Sequence, residues 1–406
     1  MSMDRNDVLK DSICILPFLH LFVRTDGLVA PCCISDGWDI SVNEGDIDDV
    51  INHPKFLELR KQMLNGEKPK VCDICFKNGH GMRNDFNNLW ERITGKNYVE
   101  LSQELVDENY SISKLKSTDL RFSNLCNFSC RMCAPIYSTN WYEDAKVVYP
   151  NHIVNMDNKS IKIGDNFVQK LDKHTNNLNW VYLAGGEPLI MDETFQYLQQ
   201  LLPNAKECEI VINTNLSNLM YKKTDILELL SNFKNCHMVV SCDGYGEMGE
   251  YIRTGFSHEK FFTNVKKLRD LSKTKYHSIS FSFNFTISIF NVFHFFDFID
   301  YIKHEDLFFD NIMTQWVTYP YHLSVGNTSE EFKDKVKKFI TDNIEKDTTL
   351  TQKIKDDLNG FINYLNVFEP TRTEHNTLDF VKKLDVLRNS DFRSVSPWIE
   401  NEIKSI

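Results

Sequence analysis

No run of about 18 apolar residues occurs anywhere in the chain, so the sequence offers no candidate transmembrane helix. The opening stretch MSMDRNDVLKDS lacks the apolar core of a secretory signal, and the expected location is the cytoplasm. Positive charge is in short supply too: 46 basic residues face 57 acidic ones, a net charge of −11. That balance speaks against a broad electrostatic footprint for a nucleic-acid backbone. There is no internal repeat and no low-complexity tract, and 42% hydrophobic with 25% charged residues is an ordinary globular composition. A chain of 406 residues has room for two or three domains with well-buried cores.

Cysteine is what stands out. The count of 11 is odd, and seven fall in tight groups: Cys32 with Cys33, Cys72 with Cys75, and Cys126, Cys130 and Cys133 within LRFSNLCNFSCRMCAPIY. In a reducing compartment such grouping points to metal ligation rather than to a disulfide framework. A closed zinc or iron–sulfur site takes four ligands, so the trio either has a distant fourth partner or forms a site left open. Cys208, Cys236 and Cys242 lack ligand spacing and read as small buried hydrophobes.

Residues 1–95 form a first unit. ILPFLHLFVRTDGLVAPCC alternates around Asp26-Gly27 and predicts a β-hairpin, and PKFLELRKQMLNG predicts an amphipathic helix ending near Gly66. A polar linker over 96–116 leads to strands at 118–123, 179–184, 208–213, 237–242, 278–288 and 311–318, with helical patterns between most of them. Strands alternating with helices call for parallel pairing and right-handed crossovers, either a partial (β/α)6 TIM-like barrel or an open doubly wound sheet, over 117–325. Residues 326–406 read as a charged helical segment with no catalytic pattern. In SISFSFNFTISI, Ile279, Phe281, Phe283, Phe285, Ile287 and Ile289 share one face, and Ser280, Ser282, Asn284, Thr286 and Ser288 the other. A small polar face on a barrel strand points to a roomy lumen that could hold a ligand; a solvent-facing edge strand is the alternative.

The spacing Cys126-x3-Cys130-x2-Cys133 after the first of these strands resembles the signature of the radical S-adenosylmethionine (AdoMet) superfamily, radical SAM. The resemblance implies a [4Fe–4S] cluster held by three thiolates, whose open iron is chelated by the amino and carboxylate groups of AdoMet. It places Met132 near the adenine, and makes Gly185, Gly186, Glu187 and Pro188 of LAGGEPLI the motif for the cofactor's amino group. Asn213 and Asn215 of INTN, and Ser241 and Asp243 of VVSCDG, are then placed for ribose or carboxylate contacts. YGEMGEYIRTG resembles the segment after an S-x-D-G element in peptide-modifying members of the family, with Arg253 as a candidate for a carboxylate.

The pattern C-x17-C-x39-C-x2-C formed by Cys14, Cys32, Cys72 and Cys75 resembles the twitch domain, a shortened SPASM domain. Four thiolates would close an auxiliary [4Fe–4S] cluster; zinc is the rival metal, and Cys33 the rival ligand to Cys32. In most relatives this domain follows the barrel, whereas here it precedes it. The implied activity is that of a radical SAM oxidoreductase or maturase. It would cleave AdoMet to a 5′-deoxyadenosyl radical, abstract hydrogen from a carbon of a peptide or protein, and pass an electron to the auxiliary cluster. A flavodoxin- or ferredoxin-like donor would supply reducing electrons. A small-molecule dehydrogenase acting on a sugar or nucleotide, and a non-catalytic iron–sulfur or zinc protein, are the alternatives. No general acid or base stands out, although Tyr319, Tyr321 and His322 follow the sixth strand.

Overall fold

The computed structural model describes residues 5–77, 81–149, 160–307, 312–369 and 376–402. The chain forms two compact units. The first holds residues 1–124, 161–212 and 230–236; the second holds 125–160, 213–229 and 237–406.

In the first unit the hairpin forms where the alternation predicts it. Strands His20–Val23 and Val29–Ala30 pair antiparallel, with Phe22 opposite Ala30. Gly27 takes φ +81°, and the Asp26 carboxylate accepts the Leu28 amide at 3.1 Å, closing the turn. His20–Val23 also runs parallel to Ser117–Leu120, His20 opposite Ser117, which in turn pairs parallel with Trp180–Leu183. Trp180–Leu183 continues the pattern onto residues 209–212 of the strand Glu209–Thr214. The hairpin is therefore built onto the same sheet as the first predicted barrel strands. The predicted helix spans Pro54–Leu64, with Pro54 in its first turn, where a missing N–H costs nothing. It buries Phe56, Leu59, Arg60 and Met63, one stripe at helical spacing. Within the stretch 96–116, Tyr98–Leu105 is a further helix with Val99 and Leu101 buried.

The core of this unit gathers Ile13, Ile15, Phe18, Met63 and Trp90, with Cys14 and Cys72 packed at its margin. Full burial of such side chains stabilises by about 1.5–3 kcal/mol each. Arg60 is buried as well; its guanidinium donates to the carbonyls of Pro17 (2.7 Å), Ile51 (2.6 Å) and Tyr110 (3.0 Å). A charge with that many acceptors is tolerated in the interior, and it ties three chain segments together.

In the second unit the strands Asn235–Ser241 (residues 237–241), Ile279–Ile287 and Ile312–Trp316 lie side by side in that order. The last two are parallel, Phe283 opposite Ile312 and Ile287 opposite Trp316. The start of the sixth predicted strand, Asn311, lies outside the described residues. The apolar face of Ile279–Ile287 is buried throughout. Its polar face is divided. His237 engages the hydroxyls of Ser280 and Ser282 at 2.9 Å each, while Thr286 donates its amide to Asp243 (2.9 Å) and Asn284 Oδ1 is buried without a partner.

The six strands, with helices His258–Thr274 and Phe295–His304 between them in sequence, give the α/β class expected for a partial (β/α)6 TIM-like barrel. From 330 onward the described chain is helical: Glu330–Lys346, Gln352–Val367, Thr377–Arg388 and Trp398–Glu402. Among the described residues no helix is long and apolar enough to cross a membrane.

Candidate iron–sulfur and cofactor sites

In the first unit Cys14, Cys32, Cys72 and Cys75 line one cavity, together with Met82 and Arg83. Each thiol has a distinct local support. Cys14 lies between the fully buried Ile13 and Ile15, and Asn87 clamps both neighbours, accepting the Ile15 amide (2.9 Å) and donating to the Ile13 carbonyl (3.1 Å). Arg83 adds bonds to the carbonyls of Asp11 and Ile13. Ser35 closes the Cys32 turn, its hydroxyl meeting both the amide (3.2 Å) and the carbonyl (2.9 Å) of Cys32. Cys72 ends the turn Lys70–Cys72 and Cys75 lies in the helix Asp73–Lys77, so the C-x-x-C spacing spans one turn and aims both thiols at one cavity. Cys33 is exposed and lies outside that lining, its sulfur 3.6 Å from Met82 Sδ.

Burial pushes the Cys72 thiol up to about 12, and the neighbouring Cys32 and Cys75 push the same way; Cys14 is raised further by its own burial. Thiols crowded into one buried cavity resist ionisation unless a cation compensates them. A set of four sulfur donors fits an iron–sulfur cube or zinc.

In the second unit Cys126, Cys130 and Cys133 are all half-buried on one loop. Ser129–Cys130 pairs antiparallel with Arg253–Thr254, and Cys130 is opposite Arg253. Trp141 donates its indole N–H to the Cys130 carbonyl at 2.6 Å, and the Cys133 amide bonds the same carbonyl at 2.9 Å. Phe128 N–H reaches Cys126 Sγ at 3.4 Å. Arg253 bridges Cys130 and Asp243: one terminal nitrogen is 3.8 Å from the Cys130 sulfur, and the other is 2.7 Å from the Asp243 carboxylate. Burial alone would lower the Arg253 pKa, but Asp243 and the Cys130 sulfur more than offset this and keep the guanidinium charged. Burial pushes Cys133 up to about 12; it raises Cys130 as well, against the pull of Arg253.

The remaining sequence candidates divide by role. Asp243 and Arg253, assigned separate ligand contacts from sequence, meet each other; Arg253 keeps one buried N–H, Nε, without a partner. Asn215 donates to Asn127 Oδ1 (2.9 Å) and accepts the Ser217 amide, tying its strand end to the cysteine loop. Asn213 presents a buried Oδ1 with no partner. Met132 and Ser241 are half-buried. In the first unit Gly185 takes φ +114°, and a Cβ there would lie 3.0 Å from the Ser123 carbonyl oxygen, to which Gly186 N–H also bonds at 3.0 Å. Glu187 is buried, its carboxylate accepting the Leu189 amide (3.1 Å) at the head of the turn Pro188–Ile190. Tyr319 and Tyr321 are exposed, while His322 is buried with Nε2 3.3 Å from the Tyr149 hydroxyl. Cys208, Cys236 and Cys242 are fully buried.

Residues 120–286 match the model of the radical SAM superfamily, and residues 14–76 match that of SPASM, an iron–sulfur cluster-binding domain. The chain carries a radical SAM domain, with a SPASM domain ahead of it. These domains imply AdoMet with a [4Fe–4S] cluster for the first and an auxiliary iron–sulfur cluster for the second. The chemistry of the residues present fits both groups: three thiols on one loop of the second unit, and four thiols around one cavity of the first.

Among solved structures, hexahistidine-tagged anSMEcpe with bound AdoMet is similar at 20% identity and a TM-score of 0.40, over 61% of this chain and 62% of that one. SuiB of Streptococcus suis bound to S-adenosylmethionine is similar at 12% identity and a TM-score of 0.39, over 80% and 69%. SuiB bound to the precursor peptide SuiA gives 13% identity and 0.31, over 73% and 71%. The chain thus spans about 62% of the length of the anSMEcpe structure it matches. No curated protein matches it.

Sequence reasoning missed Asn127, Trp141 and Arg131, although Asn127 and Arg131 lie inside the cysteine motif and only their partners were out of view.

Proposed function

We propose that this protein is a radical SAM oxidoreductase acting on a carbon of a peptide or protein, with its SPASM cluster as electron acceptor. The observation that carries the reading is the division of the thiols: three on a single loop beside Arg253, and four around a separate cavity. Three thiolates leave one iron of a cube open, whereas four close it.

In this reading Cys126, Cys130 and Cys133 hold the catalytic cluster, and Cys14, Cys32, Cys72 and Cys75 the auxiliary one. When bound, the cluster and AdoMet would supply the chemistry of hydrogen-atom abstraction from substrate. The chain's own part is to place and shield. Gly185 and Gly186 would let backbone approach the cofactor's amino group, Glu187 would add its buried carboxylate, and Met132 would lie toward the adenine. Asn213 and Ser241 would serve the ribose and carboxylate, and Asn215 and Asp243 would act behind them, by holding Asn127 of the cysteine loop and the Arg253 guanidinium. Arg253 keeps positive charge beside the Cys130 sulfur through its pair with Asp243. Peptide is favoured as substrate because YGEMGEYIRTG resembles the corresponding segment of peptide-modifying relatives.

The test is anaerobic reduction of the reconstituted protein with dithionite and AdoMet. The expected product is 5′-deoxyadenosine with methionine, lost in C130A. A protein with both clusters loaded that yields no 5′-deoxyadenosine overturns the reading. About eight iron per chain is expected for two cubes; about four iron with one zinc would assign the SPASM site to zinc.

A further inference from the structure

The helix Thr377–Arg388, in the C-terminal segment, matches neither family model, yet its last turn is fastened to the cysteine loop at two points. The first is Arg131, which lies between Cys130 and Cys133 and is 1% exposed. Its Nη2 meets Asp385 Oδ1 and Ser390 Oγ at 2.6 Å each, and its Nε donates to the Tyr251 carbonyl at 2.8 Å. Asp385 is spent wholly on this junction: the Tyr251 hydroxyl reaches Oδ1 at 3.1 Å and the Phe392 amide reaches Oδ2 at 2.7 Å.

The second point is Arg388. Its Nε and Nη2 both hold Asp144 Oδ2 (2.9 and 2.8 Å), its Nη1 holds the Thr254 hydroxyl (3.1 Å), and its guanidinium lies 4.8 Å from the centre of the Trp141 ring. Trp141 is the residue that binds the Cys130 carbonyl, and Thr254 belongs to the two-residue ladder that pairs with Ser129–Cys130. Phe380, on the same helix, also stacks with this indole, 6.4 Å from Trp141 at 15°. Through Trp141 and Thr254, Arg388 thus bears on the backbone of Ser129–Cys130 from two directions.

We propose that Asp385 and Arg388 are positioning residues that hold the Cys126–Cys133 loop in the shape that binds its cluster, which makes the C-terminal helix part of the radical SAM site. Arg131 fixes the chain between two of the ligands, and Arg388 fixes the Trp141 indole and the Thr254 ladder beside Cys130. Without them the loop that carries the three cysteines is held at fewer points, and cluster binding must then order it. The proposal rests on the reading that these three cysteines are cluster ligands.

The experiment uses the full chain, reconstituted with iron and sulfide, in four variants: C130A, D385N, R388Q and R388K. Each is measured for iron per chain, for the electron paramagnetic resonance spectrum of the reduced protein with and without AdoMet, and for thermal unfolding. Affinity of the catalytic site for its cluster is expected to fall about tenfold or more in D385N and R388Q, with the AdoMet-dependent spectral change lost and the SPASM iron retained. R388K, which keeps the charge beside Asp144, should recover much of the R388Q loss. Full iron and an unaltered AdoMet response in R388Q overturn the proposal, including when D385N fails to fold. Catalytic-site iron retained in C130A overturns the ligand reading itself, and the two failures are therefore distinct.

Discussion

Replacing Gly185 with alanine separates the backbone's demand from the cofactor's. Gly185 takes φ +114°, a region that side-chain-bearing residues rarely adopt, and its Cβ would stand 3.0 Å from the Ser123 carbonyl oxygen and 3.3 Å from Arg121 Cβ. Strain of this kind costs about 1–3 kcal/mol. The clash is with backbone and cannot be relieved by a rotamer change, so the segment must move and weaken the 3.0 Å bond from Gly186 N–H to Ser123 O, another ~1 kcal/mol. The sum is about 2–4 kcal/mol, or a few degrees in melting temperature for a chain of this size. If Gly185 and Gly186 also cradle the amino group of AdoMet, the displaced backbone weakens AdoMet about tenfold or more, since 1.4 kcal/mol suffices for each factor of ten. Gly246 is the control. It has φ +54° with nothing within 4 Å of a Cβ, so G246A costs only the ~1–2 kcal/mol of a left-handed alanine and leaves AdoMet binding alone. Thermal unfolding and equilibrium dialysis with labelled AdoMet read the two effects apart. A G185A protein that melts earlier but binds AdoMet as before would make the glycine purely structural, and one that melts and binds like the parent would refute the steric reasoning as well.

Three further outcomes are expected. His20 is buried beside Phe86 and Trp180 with Nδ1 2.8 Å from Ser117 Oγ, and burial lowers its pKa from 6.5 to about 3. The unfolded chain therefore binds a proton that the native state refuses. The contribution to stability is complete above about pH 6.5 and is lost as pH falls towards 3, by about 1.4 kcal/mol per unit; urea midpoints across that window should be flatter in H20N, and equal slopes would discount His20. C32S should lose the SPASM iron while C33S retains it, because only Cys32 lines the cavity; iron analysis giving the reverse would exchange the ligands. C72A should still cleave AdoMet but yield no modified substrate, and product formation by C72A would remove the electron-acceptor role.

What could be read from the sequence was whatever local chemistry dictates. The DG turn needs only Asp26 and Gly27, the helix at Pro54–Leu64 only a stripe and a proline, and the strand Ile279–Ile287 only its alternation. The cysteine groups were legible because their spacing is a short-range property of the sequence. The choice between Cys32 and Cys33 was not, because adjacent residues in an irregular turn diverge according to what surrounds them. Here Ser35 closes the turn that carries Cys32 into the cavity lining, and Cys33 is left outside it against Met82.

The pairing of Asp243 with Arg253 was hidden for another reason. Each residue is a plausible ligand contact by type, and sequence spacing does not reveal that two opposite charges will neutralise each other. Nor could spacing reveal Arg131 with Asp385, which are 254 residues apart. A buried arginine demands an acceptor wherever the fold can bring one, and burial is a property of the whole unit rather than of the motif. Arg131 stands inside the motif, and its charge in a loop that must pack was the only sign that a distant carboxylate had to exist. The helix that supplies this carboxylate lies outside both family matches, so no motif pointed to it.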